Sequence, residues 1–355
     1  MFKNLNKLQG RATKKTRASK RRAAFFEGQS TEGTHTPVLL QEVLAALEPK
    51  DLETFVDATF GGGGYTQALL DACNCFVLAI DRDKETLPRA NNVFERYGSR
   101  FRFLLSSFGR IKFLLKDVAF QGIVFDFGTS FFQLETAERG FSFQKDGPLD
   151  MRMSQEGISA FDVVNTFLQE DLKKIIQTYG EERFSEKISH AIVKERTKNP
   201  LRTTLELAQV VRSIVPKSGP LDPATKTFQA LRIFVNNELR EIEQALMGIG
   251  ELFLEQQPPI LDKITVVTVA FHALEDRIVK NWTRTMEAQA LLDGSFQVYK
   301  KNAKVRTPSL QEIQDNPRSR SARLRAVVLE KGSEKNPQKS RAPQSPRPQS
   351  LRKDS

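Results

Sequence analysis

The feature that most constrains the fold is the stretch from Thr54 to Thr66, in which an apolar run passes directly into four glycines. The apolar and β-branched residues before the glycines predict a buried strand, and residues 66–72 predict the first turns of a helix. A strand, a glycine turn and a helix N-terminus together present backbone N–H groups to a polar or anionic ligand. Glycine suits such a turn because a side chain would block the ligand. The stretch therefore predicts a site for a ligand with polar or anionic groups, with a glycine-rich hairpin as the alternative.

An acidic residue stands where nucleotide-binding folds hold a ribose. A second apolar run ends in Asp81, at the expected offset from the glycine turn. NAD is a rival ligand, but the spacing is not G-x-G-x-x-G, because Thr66 stands where the third glycine would be. The D-x-T-x-G-x-G pattern from Asp57 to Gly63 instead resembles the first motif of S-adenosylmethionine methyltransferases. Gly61 and Gly63 are therefore candidate cofactor contacts.

Strands and helices alternate along this part of the chain. Strands are predicted at 54–58, 76–80, 101–105 and 121–126, and helices at 66–72, 84–97 and 108–117. This alternation predicts an α/β fold, a Rossmann-like parallel sheet with helices on both faces and its ligand at the carboxyl ends of the strands. The fourth strand ends at Asp126, which we expect to face the same crevice as Asp81. A β-branched run at 264–271 predicts a further buried strand.

A helical segment interrupts this alternation. Nothing strand-like appears between about 137 and 225, and the apolar periodicity predicts helices at 159–178, 181–197 and 204–215, followed by a long one at 224–246. We therefore predict a discontinuous α/β domain, residues 34–136 and 226–330, that carries a helical insertion at 137–225.

The charge of the chain points to a polyanionic partner. Its 355 residues have a formal net charge of +11 at pH 7. Part of this charge lies in residues 1–33 and 331–355, whose composition predicts disordered basic arms. The first arm also has the makeup of an organelle transit peptide. We expect a cytoplasmic protein, with the matrix of a mitochondrion or other organelle as the alternative.

The composition disfavours several other kinds of site. Cys73 and Cys75 are one residue apart, which suits free thiols better than a disulfide. With only three histidines, we expect no metal site. No apolar run is long enough to span a membrane, and no signal-peptide core precedes the ordered part. A homodimer remains open.

Motifs along most of the chain resemble those of one family, the bacterial small-subunit ribosomal RNA cytosine-N4 methyltransferases, also called RsmH or MraW. They run in order from His35 to Arg325, and the most irregular are at 57–64, 138–143, 146–153 and 271–277. The resemblance implies a class I S-adenosylmethionine methyltransferase with a helical insertion. It also implies the substrate, a cytidine in the decoding (P-site) region of 16S ribosomal RNA in the 30S subunit.

The resemblance implies roles for individual residues. Asp81 would bind the cofactor ribose, and Phe108 would pack near the adenine unless it serves only the core. Asp126 would bond either the cofactor or the cytosine amine, with Ser130 beside it, which makes these two the candidate catalytic residues. The implied cofactor contacts are Gly63, Gly64, Tyr65, Asp81, Phe108, Asp126 and Gln133, in addition to Gly61.

The substrate RNA would be held by stacking and by cations. The phenylalanines that could stack on a splayed base are Phe131, Phe132, Phe141 and Phe143, with ordinary packing as the alternative for each. The candidate RNA contacts are Arg139, Phe141, Arg152, Arg183, Arg232 and His272, with intramolecular salt bridges as the alternative for the arginines.

The chain departs from the family pattern at the predicted site. Tyr65 replaces a histidine, and can still stack or donate a hydrogen bond. Phe131 and Phe132 replace a serine and a proline. Two alternative functions therefore stay open. One is a methyltransferase of another nucleic acid or of protein, and the other is a cofactor-binding but inactive ribosome assembly factor, which the altered loop at Phe131 and Phe132 motivates.

Overall fold

The structure, a computed structural model, describes residues 36–217, 219–255, 261–301 and 304–332. The strands in this part of the chain are β1 (Thr54–Asp57), β2 (Phe76–Asp81), β3 (Phe101–Leu105), β4 (Gly122–Asp126), β5 (Lys263–Ala270), β6 (Phe296–Lys300) and β7 (Arg323–Lys331). They form one sheet in the order β3-β2-β1-β4-β5-β7-β6. The first five strands are parallel, whereas β7 pairs antiparallel with both β5 and β6.

Helices pack on both faces of the sheet. The α-helices of the described chain are α1 (Leu40–Leu47), α2 (Gly64–Ala72), α3 (Leu87–Tyr97), α4 (Ile111–Leu115), α5 (Phe131–Glu135), α6 (Ala160–Thr166), α7 (Gln169–Gly180), α8 (Ser185–Arg196), α9 (Thr204–Ile214), α10 (Thr225–Asn236), α11 (Glu238–Leu254), α12 (Ala273–Asp293) and α13 (Leu310–Asp315). Apolar residues of α1, α2 and α3 form a core with one face of the sheet. Residues of α4, α11 and α12 form a core with the other face.

The predicted α/β fold is confirmed, and the strands predicted from the sequence match β1 to β5 within one residue at each end. Alternate residues of β1 face opposite cores, Phe55 on the α2 side and Val56 on the α4 side, as a strand buried on both faces requires. Strands β6 and β7 were not predicted. β6 mixes apolar and polar residues over only five positions, and the apolar run of β7 is only four residues long, between Arg325 and Glu330.

Two predicted helices are each two helices in the structure. The helix predicted at 159–178 is wrong because the chain is extended at Phe167, where α6 ends. The Arg196 guanidinium donates to the carbonyls of Val164 and Phe167 at 2.6 and 2.5 Å, which satisfies groups that the end of the helix frees. The helix predicted at 224–246 is wrong because Asn237 adopts a left-handed conformation between α10 and α11, with φ of 51°.

The residues of the predicted insertion form a core together with α10, most of which lies outside the predicted bounds 137–225. Buried apolar side chains between Phe141 and Leu231 form a third cluster, built from α6 to α10 and the loop before them. The division into domains stays a prediction. The predicted basic arm at 1–33 lies outside the described residues, and so does the predicted tail except for Lys331, which ends β7, and Gly332. None of the described helices is long and apolar enough to cross a membrane.

Candidate functional site

The glycine turn between β1 and α2 has a conformation that requires glycine. Gly61 and Gly63 have φ values of 51° and 76°, in the left-handed region that disfavours other residues. A Cβ atom on Gly63 would lie 2.8 Å from the buried ring of Phe60. Helix α2 begins directly afterwards at Gly64, and the N–H groups of its first turn have no partners within the helix. The turn therefore offers backbone donors to a polar or anionic ligand group.

Asp81 joins the end of β2 to this turn. Its Oδ2 accepts a hydrogen bond from the Gly61 N–H at 2.7 Å, and its Oδ1 accepts one from the Asp83 N–H at 2.9 Å. Each carboxylate oxygen retains a lone pair, so the side chain can also accept from two ribose hydroxyls. Burial raises the pKa of Asp81 to about 6, although both backbone hydrogen bonds act against the rise. The remaining lone pairs suit a ribose contact, which stays a prediction.

Asp57, at the end of β1, anchors the glycine turn by hydrogen bonds. This fully buried carboxylate accepts from the Thr66 hydroxyl at 2.7 Å and from the Thr59 N–H at 3.2 Å. Burial raises its pKa to about 6. The Thr59 hydroxyl oxygen in turn accepts from the Asp126 N–H at 2.7 Å, which links the turn to β4. Asp57 was missing from the predicted site residues, although an acid at the end of a buried strand is a signal that the sequence displays.

Asp126 has an unsatisfied polar atom at the same edge of the sheet. It ends β4, and its carboxyl Oδ1 is buried without a hydrogen-bond partner among the described residues. Burial, together with the charges of Asp57 and Glu275, holds the pKa of Asp126 well above its usual value. An unpaired buried polar atom is costly, and at the ligand edge of an α/β sheet a ligand group can supply the missing partner. Asp126 therefore has an acceptor atom open to a ligand at this edge, and its catalytic role stays a prediction.

Ser130 and Gln133 shape the loop after β4. They form a capping box at the start of α5, in which the Gln133 N–H donates to the Ser130 Oγ at 3.2 Å and the Ser130 N–H donates to the Gln133 Oε1 at 3.0 Å. The Gln133 amide also donates to Asp83 at 2.8 Å. The buried Gln133 side chain is thus engaged within the protein, whereas the Ser130 hydroxyl keeps its proton to donate. Their ligand roles stay predictions.

An aromatic ring and a cation cover one side of the glycine turn. The Phe132 ring lies 3.0 Å from the position a Cβ on Gly62 would take. The Arg89 guanidinium carbon is 4.0 Å from the centroid of that ring, and its Nε donates to the Gly61 carbonyl at 3.1 Å. The departure from the family pattern therefore places a phenylalanine directly against the turn. Sequence reasoning did not find Arg89, because no local motif marks it.

Two predicted cofactor contacts lie in or near the core. The Tyr65 side chain is buried, and its hydroxyl donates to the Val38 carbonyl at 2.5 Å. This corrects the expectation that the ring stacks on the ligand or donates to it, and leaves only the backbone N–H of Tyr65. Phe108 follows β3 and is half-buried, with its ring centroid 5.8 Å from Phe125 and 6.2 Å from Phe127. Core packing therefore accounts for part of its surface.

Two of the candidate RNA contacts are buried, and for both the alternative to RNA binding, a salt bridge or ordinary packing, fits the structure. Arg139 is 5% exposed, and its Nη1 lies 2.8 Å from a carboxylate oxygen of Asp83 and 2.8 Å from one of Glu85. It is a structural residue that binds the loop after β2 to the loop before α6, because Nη2 also donates to the carbonyls of Arg152 and Met153. Phe141 is 6% exposed in the helical cluster.

The remaining candidates are at least partly exposed. Arg152 pairs with Asp150 at 2.6 Å, and Arg232 pairs with Glu238 at 2.8 Å, so the salt-bridge alternative accounts for both. Arg183 is exposed, with its guanidinium 4.7 Å from the centroid of the neighbouring Phe184 ring. His272 accepts at Nδ1 from the Glu275 N–H at 3.4 Å and caps the N-terminus of α12. No cluster of metal-ligating side chains occurs in the described part of the chain.

Comparison with known proteins adds independent findings. A family model described as the MraW methylase family matches residues 32–331. Ribosomal RNA small subunit methyltransferase H of Ehrlichia canis is 46% identical over 303 residues, which covers 83% of this chain and 99% of that protein. The protein of the same name from Rickettsia massiliae is 43% identical over 306 residues, covering 83% and 97%. Among solved structures, a putative rRNA methylase from Clostridium thermocellum covers 84% of this chain and 99% of its own, but its 12% identity and TM-score of 0.38 support no inference.

Proposed function

This chain belongs to the MraW methylase family, and from that premise we propose that it methylates N4 of a cytidine in the decoding (P-site) region of small-subunit ribosomal RNA. Membership makes it a methyltransferase that uses S-adenosylmethionine. The names of its relatives support the small-subunit ribosomal RNA as substrate, and the sequence motifs support the N4 position and the P-site region. The single observation that carries the chemistry is the buried carboxyl Oδ1 of Asp126, which has no hydrogen-bond partner among the described residues.

The residues of the crevice suit S-adenosylmethionine. Asp81 has free lone pairs for ribose hydroxyls, and the glycine turn has N–H donors for the polar end of the ligand. Phe108 lies after β3, one strand further along, where an adenine would extend. The cofactor supplies an electrophilic methyl group together with its own leaving group, so the protein has to position the attacking amine and has no need to activate a leaving group.

Asp126 would orient the amine. The lone pair of the cytosine amino group is delocalised into the ring, which makes that group a poor nucleophile. A carboxylate that accepts from the amine hydrogens favours the geometry in which the lone pair can attack, and it can take up the proton that the methylated amine releases. The Ser130 hydroxyl can donate a further hydrogen bond to the base. The Asp126 N–H donates to the Thr59 hydroxyl oxygen, and this hydrogen bond holds the end of β4 next to the glycine turn.

A methyl-transfer assay tests this proposal. Immature and mature small subunits are incubated with the protein and the cofactor, and the RNA nucleosides are analysed by mass spectrometry. N4-methylcytidine at a single position in the decoding region supports the proposal. A different methylated nucleoside identifies another substrate. Cofactor binding without any transfer favours the inactive assembly factor, for which the one structural motive is the Phe132 ring against Gly62.

We expect Asp81→Ala to weaken binding of S-adenosylhomocysteine by about tenfold or more, since charge-assisted hydrogen bonds contribute roughly 1.5–3 kcal/mol. The substitution also frees the Gly61 N–H, so the turn loses an anchor. Calorimetry measures the affinity, and Asp117→Asn, an exposed change away from the crevice, is the control. An unchanged affinity would remove Asp81 from the site.

Cofactor affinity should fall as the pH drops below about 6, by up to about tenfold per pH unit. The pKa of Asp81 is about 6 in the folded protein, and ribose hydroxyls donate to its ionised form, so protonation removes the acceptor. In the ligand-free protein the raised pKa values of Asp57 and Asp81 mean that the folded state holds protons which the unfolded chain has released. The contribution of these two carboxyl groups to stability should therefore fall as pH rises from about 4 to about 6. A flat affinity profile between pH 5 and 8 in calorimetry would contradict the assignment.

A further inference from the structure

A row of cations lines the surface made by α12, β7 and the residues that precede β7. One cavity there is bordered by Lys280 and Arg284 of α12, by Lys304, and by Arg325 of β7. A neighbouring cavity is bordered by Phe271, His272, Arg320 and Arg323. Because β7 contributes to both cavities, we treat them as one surface and call it the β7 groove. Its basic residues were not among the predicted RNA contacts.

The β7 groove has more positive charge than its carboxylates neutralise. Asp276, which is buried, lies 2.6 Å from Arg325, 2.8 Å from Lys280 and 3.5 Å from Arg323, so a single carboxylate faces three cations. Arg284 and Arg320 are exposed, and so is Lys304. No ion pair within the described part of the chain engages any of these three. Their charges are therefore available to an anionic partner.

The groove adjoins the candidate reactive site. Phe271 follows β5, and β5 pairs with β4, the strand that ends at Asp126. The N–H of Phe127, the next residue, donates to the Val269 carbonyl at 2.9 Å, which holds the two strand ends together. The cavity at Phe271 and His272 thus opens at the same edge of the sheet as Asp126. A chain of nucleotides whose target base lies at Asp126 can continue into this cavity.

We propose that the β7 groove binds the phosphates of single-stranded RNA next to the target nucleotide, an inference that rests on the proposed function. A base that is methylated on its exocyclic amine has to be splayed from its neighbours, so the flanking nucleotides are single-stranded at that moment. Cations that follow the backbone are a usual feature of a single-strand site, and Phe271 and His272 border the same cavity. Arg284, Lys304 and Arg320 supply the contacts that no carboxylate of the described chain has neutralised.

The test is a salt titration of RNA binding. The variant R284Q/K304Q/R320Q is compared with a control variant, R102Q/R110Q/K116Q. The control removes three exposed cations in and after β3, the outermost strand on the side of the sheet away from β7. Anisotropy of a fluorescein-labelled, mixed-sequence single-stranded RNA is followed from about 50 to about 200 mM KCl. Each lost phosphate contact lowers the slope of log K against log salt by about 0.7, so the groove variant should lose about 2 in slope and about tenfold or more in affinity. The control variant should stay within about twofold of wild type.

Three results would contradict RNA binding by the β7 groove. They are an unchanged salt slope in the groove variant, an equal loss of slope in the control variant, and displacement of the labelled RNA by polyglutamate as effectively as by unlabelled RNA. S-adenosylhomocysteine affinity and the thermal midpoint should stay close to wild type in both variants, because all six side chains are exposed. The two proposals fail separately. If wild type methylates no RNA but the groove variant has a smaller salt slope, the proposed methylation is wrong and RNA binding by the β7 groove is supported. If wild type methylates RNA and the groove variant has the salt slope and the KM for RNA of wild type, RNA binding by the β7 groove is contradicted.

Discussion

Asp126→Asn is expected to slow methyl transfer by roughly 10²-fold or more while cofactor affinity changes much less. Asparagine keeps the size of the side chain but replaces one acceptor oxygen with a donor group. A donor that faces the cytosine amine repels its hydrogens and no longer favours the attacking geometry. The Asp126 backbone N–H, which bonds Thr59, is unaffected, so the loop should keep its position.

Single-turnover rates and calorimetric affinities together decide this prediction. Asp262→Asn is the matched control, because Asp262 is exposed and lies at the amino end of β5, whereas Asp126 lies at the carboxyl end of β4. A single-turnover rate near that of wild type would exclude Asp126 from the chemistry. A loss of cofactor binding with a normal rate at saturating cofactor would make Asp126 a cofactor contact, which is the other role that the sequence left open.

Arg139→Met should cost about 3–5 kcal/mol of unfolding free energy, since it removes one partner of a buried ion pair. The guanidinium contacts Asp83 and Glu85 at 2.8 Å and donates to two backbone carbonyls. Without it, the buried Asp83 carboxylate keeps, within the described part of the chain, the Gln133 amide and the Glu85 N–H as hydrogen-bond donors. The shift of the urea unfolding midpoint measures the loss.

Lys145→Met is the control for this experiment. Lys145 pairs with Glu135 at the same 2.8 Å, but both side chains are more than a third exposed. Exposed pairs contribute about 0–1 kcal/mol, so the two variants should differ clearly although the distances are equal. Adding Asp83→Asn to Arg139→Met should restore part of the stability, because the uncompensated charge disappears. A shift for Arg139→Met as small as that for Lys145→Met would contradict a buried structural pair.

The sequence predicted the central strands well because their signal is local. A strand buried on both faces is a continuous apolar run, and its ends are marked by glycine or by an acid, as at Asp57 and Asp126. The helix boundaries depend on tertiary contacts instead. The apolar periodicity continues through Asn237, so only the folded chain reveals the left-handed residue that separates α10 from α11. The break at Phe167 is likewise stabilised by Arg196, which lies far away in the sequence.

The candidate site divides in the same way. Asp81 and Asp126 were found because residues at the ends of parallel strands must share an edge. For Arg139 the sequence left RNA binding and a salt bridge open, because its burial depends on Asp83, which lies fifty-six positions earlier. The Tyr65 ring turns into the core because the Val38 carbonyl accepts from its hydroxyl, and nothing in the local sequence indicates that contact.

The position of β7 has a consequence for how the protein is synthesised. β7 is the last strand of the described chain to be translated, yet it lies inside the sheet, between β5 and β6. Until Arg323–Lys331 emerges, β5 presents an unpaired edge of eight residues, Lys263–Ala270, and β6 has no neighbour. Such an edge is a template for aggregation. A nascent chain of this protein therefore completes its sheet late, and premature termination before β7 leaves an apolar strand exposed to other chains.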